Sequence, residues 1–246
     1  MSCWGCGRPP ISARLLALFS YNGKVRKLID SRTKPLLYAI TDRLTLPGNN
    51  SCGGLGALIH FIKRALTAGV DMIQIRERDL TARDLLFISD SVKEAARKNG
   101  ACVLVNDRAD VAACAEVGTH LTTRSISPDV ARMAFGQDLL IGASTHSLTE
   151  AQAAERAGAD FIVFGPVFET GSKKQYGTPV GVEALRITAR RVAMPVLALG
   201  GINSDNFREA LDAGADGIAG ISLFSEADDL NRLVREIKAS SSAIKR

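Results

Sequence analysis

Three histidines stand in this chain of 246 residues, and one of them is placed to move a proton. His146 follows Ser144 and Thr145 just beyond an apolar run. An imidazole titrates near neutrality, so such a residue serves readily as a general acid or base. Further along, Gly200-Gly201 ends another apolar run. Two residues without side chains let the backbone approach a ligand and aim N–H groups at an anion. Ser222, beyond the last run, adds a hydroxyl to that cradle. Arg76 terminates the run Met72–Arg76, so its guanidinium has to emerge where the run ends. With Thr170, Ser172 and Lys173 it offers cationic and hydroxyl donors to a second anionic group. Lys174 reads as a solvated neighbour. His60 sits beside Phe61 in a helical pattern and reads as a packed or surface residue; His120 suits a structural or a ligand-facing role equally. The chemistry these types suggest is proton transfer on a small molecule fixed by its phosphate.

The elements that position these residues are legible from Pro35 onward. Short apolar runs (Leu36–Thr41, Met72–Arg76, Cys102–Asn106, Thr119–Leu121, Leu139–Ala143, Phe161–Gly165, Val196–Leu199, Gly217–Ile221) alternate with longer amphipathic stretches such as Leu55–Ala68, Ala82–Lys98, Leu148–Ala157 and Asn206–Ala213. The runs are too short for buried helices and suit strands covered on both faces. Eight such strands alternating with helices predict one α/β domain, a single (β/α)8 TIM barrel over residues 35–246. A repeat supports the count: Ala-Gly-Val-Asp at 68–71 and Ala-Gly-Ala-Asp at 157–160 and 213–216 each close a helix and start a strand. Asp71, Asp160 and Asp216 thus fall at the stability face and read as structural. An open doubly wound sheet would show a glycine-rich turn after its first strand, and none is present. In barrels the chemistry gathers at strand C-termini, where every candidate above lies.

Composition narrows the class further. Hydrophobic residues make up 46% and aromatics 5%, so the core is aliphatic. The net charge of +5 belongs to residues 1–34, which hold seven cations and one acid; the rest has 24 cations and 25 acids. A neutral body carries no electrostatic footprint for nucleic acid. Residues 1–34 read as a basic, poorly ordered extension whose removal leaves activity intact. Leu15–Phe19 is too short for a membrane span. A cytoplasmic protein with a small-molecule phosphate substrate follows, and the outer helices permit a homodimer without requiring one. Cys3-x-x-Cys6 lacks a second ligand pair, and Cys102 and Cys114 read as buried free thiols.

Six motifs in barrel order resemble the thiamine-phosphate synthase and TenI superfamily across residues 35–230. They are Tyr38-Ala39-Ile40-Thr41-Asp42, Gln74-Ile75-Arg76-Glu77, Asn106-Asp107-Arg108, Ile141–His146, Phe164–Thr170 and Gly200-Gly201-Ile202. The resemblance implies two activities. A synthase joins a pyrimidine diphosphate to a thiazole phosphate with Mg2+ help and releases pyrophosphate. A TenI-type thiazole tautomerase aromatises a carboxylated thiazole phosphate by a proton shift, without cofactor. By resemblance Arg76, Asn106, Ser144, Thr170, Ser172, Lys173 and Gly181 bind substrate, and Gly200, Gly201 and Ser222 bind its phosphate. Asp107 matches one Mg2+ carboxylate of the synthase, and His146 matches the catalytic histidine of the tautomerase. The second Mg2+ carboxylate is replaced by Ser125, with Arg124 beside it, and Arg78 stands where the synthase has lysine. This pattern favours the tautomerase, with the synthase as the alternative. A non-catalytic phosphate-ligand regulator on the same barrel is a third reading. An epimerase or lyase would need an acidic pair or a buried lysine at a strand end.

Overall fold

The computed structural model describes residues 35–46, 54–170 and 178–240. Its strands are β1 (Leu36–Ile40), β2 (Met72–Ile75), β3 (Cys102–Asn106), β4 (Gly118–Leu121), β5 (Ile141–Thr145), β6 (Phe161–Phe164), β7 (Val196–Leu199) and β8 (Gly217–Gly220). All neighbours pair in parallel, and β8 returns to β1 to close the barrel. The intervening helices are α1 (Leu55–Ala68), α2 (Ala82–Lys98), α3 (Ala109–Ala115), α4 (Pro128–Phe135), α5 (Leu148–Arg156), α6 (Gly181–Arg191) and α7 (Phe207–Asp212). The one-turn α8 (Ser222–Ser225) and α9 (Leu230–Ala239) follow β8. The expected (β/α)8 architecture is the observed one.

Successive strand residues point to opposite faces, and here both faces are buried. Leu36, Tyr38, Met72, Leu104, Phe161 and Leu197 belong to the cluster that fills the barrel. Leu37, Ala39, Ile73, Val103, Ile162 and Val196 pack outward against the helices. Each aliphatic side chain taken fully out of water contributes roughly 1.5–3 kcal/mol, which is why the strands read as unbroken apolar runs.

The repeated aspartates explain how the strand starts are registered. Asp71 accepts from Leu37 N–H at 2.9 Å, Asp160 from Ile141 N–H at 2.8 Å and Asp216 from Val196 N–H at 3.0 Å. In each case the aspartate's own N–H donates to the carbonyl of that same partner residue. Each carboxylate thus ties its strand to the first residues of the one before it. Lys238 and Arg132 complete the outer side of Asp71 and Asp160, both at 2.8 Å. The structural reading of these residues holds.

Two expectations need correction. β5 spans Ile141–Thr145 instead of Leu139–Ala143, so Ser144 lies on the strand and His146 directly follows it. Leu139 and Leu140 extend the apolar run, yet β6 pairs only with Gly142–Thr145, whose polar members the run excludes. Cys114 is exposed, unlike Cys102. The inward face of α3 is Val111, Ala112 and Ala115, and position 114 turns outward. Cys3, Cys6, Cys52 and the extension 1–34 lie outside the described residues. Among the described residues, no helix is long and apolar enough to cross a membrane.

Candidate functional site

The ends of β1 and β2 are locked together by a charged network. Thr41 Oγ1 donates to Glu77 Oε1 at 2.6 Å and accepts from Arg76 N–H at 3.0 Å. Arg43 donates to Glu77 at 3.2 Å and grips both oxygens of Asp79 at 2.6 and 2.5 Å. Burial pushes the Glu77 carboxyl up, against the pull of Thr41 and Arg43. The fork of Arg43 holds Asp79 below the usual carboxylate range. The backbone of Arg76 is thereby fixed at the end of β2, and the residue is half-buried. Sequence reasoning assigned Glu77 and Arg43 no part in this; their signal was an Arg and two acids flanking the ends of adjacent strands.

At the end of β3, Asn106 is in register with His120 of β4. Asp107 adopts a left-handed backbone at φ 62°, a conformation few non-glycine residues take. Its N–H donates to the His120 carbonyl at 2.8 Å, and its carboxylate accepts from the Ser125 hydroxyl. Ser125 is held in turn by Thr122, whose N–H donates to its Oγ at 2.7 Å. Ser125 therefore sits directly on Asp107. Arg124 is exposed at the rim.

Across β5, Ser144 is half-buried and 2.9 Å from His120 Nε2. His120 is 2% exposed, inside the barrel. His146 is exposed and its backbone is pinned by the cap of α5. Ser147 accepts from Glu150 N–H at 3.2 Å, and the Glu150 carboxylate accepts from His146 N–H at 2.7 Å. His146 Nδ1 meets the carbonyl of Gly165. A carbonyl only accepts, so Nδ1 is the donor in this contact and Nε2 is the ring nitrogen left outside it.

The segment that receives His146 also packs on the glycine turn. Val167 N–H donates to Leu199 O at 2.8 Å and Phe168 N–H to Gly200 O at 2.9 Å. Gly200 and Gly201 have φ of 100° and 66°, which side chains resist. A Cβ on Gly200 would lie 2.5 Å from Pro166, and one on Gly201 would strike the Glu169 carbonyl. Close packing of this segment thus gives both glycines a reason of their own. The Gly201 N–H has no acceptor among the described residues. Gly181 opens α6 at φ 82°, next to Val180, whose N–H donates to Pro166 O at 2.8 Å. Ser222 is exposed beyond β8, the strand paired with β7.

His146 and the glycine turn therefore share one end of the barrel, joined through Gly165–Phe168. Asn106, Asp107 and Ser144 lie on the adjoining arc of strand ends. Thr170 Oγ1 is buried and has no partner among the described residues, a cost that a ligand oxygen would remove. Ser172 and Lys173 lie outside the described residues.

The model of the family described as "Thiamine monophosphate synthase" matches residues 37–224. The chain is 38% identical over 205 residues to the thiamine-phosphate synthase of Chlorobium phaeobacteroides, covering 83% of this chain and 95% of that one. It is 37% identical over 187 residues to that of Moorella thermoacetica, covering 76% and 89%. Among solved structures it is similar to a thiamine phosphate pyrophosphorylase from Pyrococcus furiosus, with TM-score 0.73 and 35% identity over 86% of this chain and 97% of that one.

Proposed function

Because this chain belongs to the thiamine monophosphate synthase family, we propose that it is an enzyme of thiamine biosynthesis that joins a pyrimidine diphosphate to a thiazole phosphate. The observation that carries this reading is the Asn106-Asp107 pair, with the Asp107 carboxylate swung by its left-handed backbone toward the end of β4. The names borne by full-length relatives support the same choice over the tautomerase that the sequence alone favours. Gly200, Gly201 and Ser222 would hold the thiazole phosphate by backbone N–H and hydroxyl donors. Arg76, Asn106, Ser144 and Thr170 would hold the diphosphate, with Ser172 and Lys173 assigned to it by resemblance. Gly181, which opens α6 with a left-handed backbone, is assigned to substrate by resemblance. These donors place the two partners together, so that orientation itself lowers the barrier.

The resemblance implies Mg2+ for this reaction. No group of three or more His, Cys, Asp or Glu suited to a metal exists among the described residues. The described residues therefore do not fit a cation caged by protein alone. They fit one that takes most of its oxygens from a substrate diphosphate and water, with Asp107 as the carboxylate. When bound, the ion would offset charge gathering on the departing pyrophosphate.

A second reading is favoured by one specific observation: Ser125 occupies the place of a carboxylate and donates to Asp107. A thiazole tautomerase needs no metal, only a phosphate handle and a base, and His146 Nε2 is available as that base. One experiment separates the two. The protein is given both synthase substrates with Mg2+, and separately the non-aromatic carboxythiazole phosphate. Thiamine phosphate formation abolished by EDTA is the expected result. No coupling, together with aromatisation that His146→Ala loses, would move the assignment to the tautomerase.

A further inference from the structure

Four polar side chains form a hydrogen-bonded line through the barrel, and three of them, Tyr38, Gln74 and His120, have no part in either proposed reaction. Tyr38, Gln74 and His120 are 2% exposed or less, and Ser144 stands half-buried where the line reaches the mouth. Gln74 Nε2 donates to Tyr38 Oη at 3.0 Å. An amide nitrogen only donates, so the phenol's own proton goes elsewhere. The acceptor beside it is His120 Nδ1, 3.2 Å away. Nδ1 is thereby the bare nitrogen and Nε2 the protonated one, and Nε2–H donates to Ser144 Oγ at 2.9 Å. With Oγ accepting from inside, the Ser144 proton points away from His120, toward the mouth. Gly142 makes the space, since a Cβ there would lie 2.7 Å from His120 Nδ1.

We propose that His120 is a positioning residue: the Gln74–Tyr38–His120 line makes Ser144 a one-way hydrogen-bond donor to an anionic oxygen of a phosphate or diphosphate ligand. The inference rests on the reading of the mouth as a phosphate-ester site. The opposing possibility is that His120 only fills space between Tyr38 and Phe161, whose rings lie 5.7 and 6.1 Å from its own. The two roles differ in their coupling to Ser144.

The test is binding of inorganic pyrophosphate to the full chain, followed by calorimetry at fixed Mg2+, with melting curves to confirm folding. Ser144→Ala weakens binding about tenfold, as expected for one lost hydrogen bond to a charged group. His120→Leu weakens it by a comparable factor and Tyr38→Phe by a smaller one. Neither adds loss in a Ser144→Ala background, because both act through the hydroxyl already removed. His120→Gln, whose amide nitrogen still donates toward Ser144, keeps most of the affinity. Losses that multiply in the double variants overturn the proposal. If His120→Leu does not fold, Tyr38→Phe carries the same cycle by removing one oxygen. Nitrogen-15 NMR gives a ligand-free check: His120 protonated at Nε2 supports the line, and protonation at Nδ1 overturns it. Wild-type protein that binds no pyrophosphate overturns the phosphate-site reading as well, whereas binding with multiplying losses removes the role of His120 alone.

Discussion

On the proposed synthase reading, the Ser125 hydroxyl on the Asp107 carboxylate would limit metal binding, because it donates a proton where a second carboxylate would offer a cation an anion. Ser125→Asp should tighten Mg2+ in the presence of pyrophosphate, read by calorimetry; unchanged affinity would mean that Asp107 does not face the ion. His120 allows a sharper prediction. Burial pulls its pKa from 6.5 to about 3. An unfolded chain takes up this proton near 6.5 while the folded one refuses it until near 3. Below 6.5 the unfolded state therefore binds more protons, and stability falls as pH falls, by about 1.4 kcal/mol per unit. Urea titrations at pH 7 and pH 5 should show the wild type losing about 2 kcal/mol more than His120→Gln. His146 and Ser144 were legible because they follow an apolar run. The interior line was not: one polar residue inside each of several runs shows its partner only once the strands are paired.

At the scale of elements, the aspartate at each of three strand starts joins two strands and two levels of the fold. Asp160 is bound to Ile141 N–H and to Arg132, with side chains 9% and 10% exposed. Asp160→Ala leaves a buried guanidinium without its counter-ion and should cost about 3 kcal/mol in chemical denaturation. A loss under 1 kcal/mol would show that Arg132's bonds to the carbonyls of Gly158 and Leu139 suffice. The repeat announced these residues, since glycine after a helix and aspartate before a strand recur at matched places. The offset of β5 was hidden for the opposite reason. Ser144 and Thr145 satisfy themselves across the sheet, and hydrophobicity carries no trace of that.

For the whole molecule, closure rests on β1, which pairs with β2 on one side and β8 on the other. Deletion of residues 1–34 should leave the melting temperature and activity intact. Deletion through residue 40 should abolish folding, measured by loss of the cooperative melt. The order and number of strands were readable because the strands are mostly apolar, with both faces buried, and every crossover is a helix. The mouth was readable only in part, because some of its residues owe their placement to neighbours far along the chain, as Arg76 does to Thr41.

The segment Gly165–Phe168 touches the imidazole after β5 and the glycines after β7 at once. A shift in this short span would carry the His146 imidazole and the Gly200-Gly201 turn in the same direction. Substrates of a different length therefore cannot be accommodated by widening the gap between those two; a longer or shorter ligand must be met by side chains from the opposite arc of the rim.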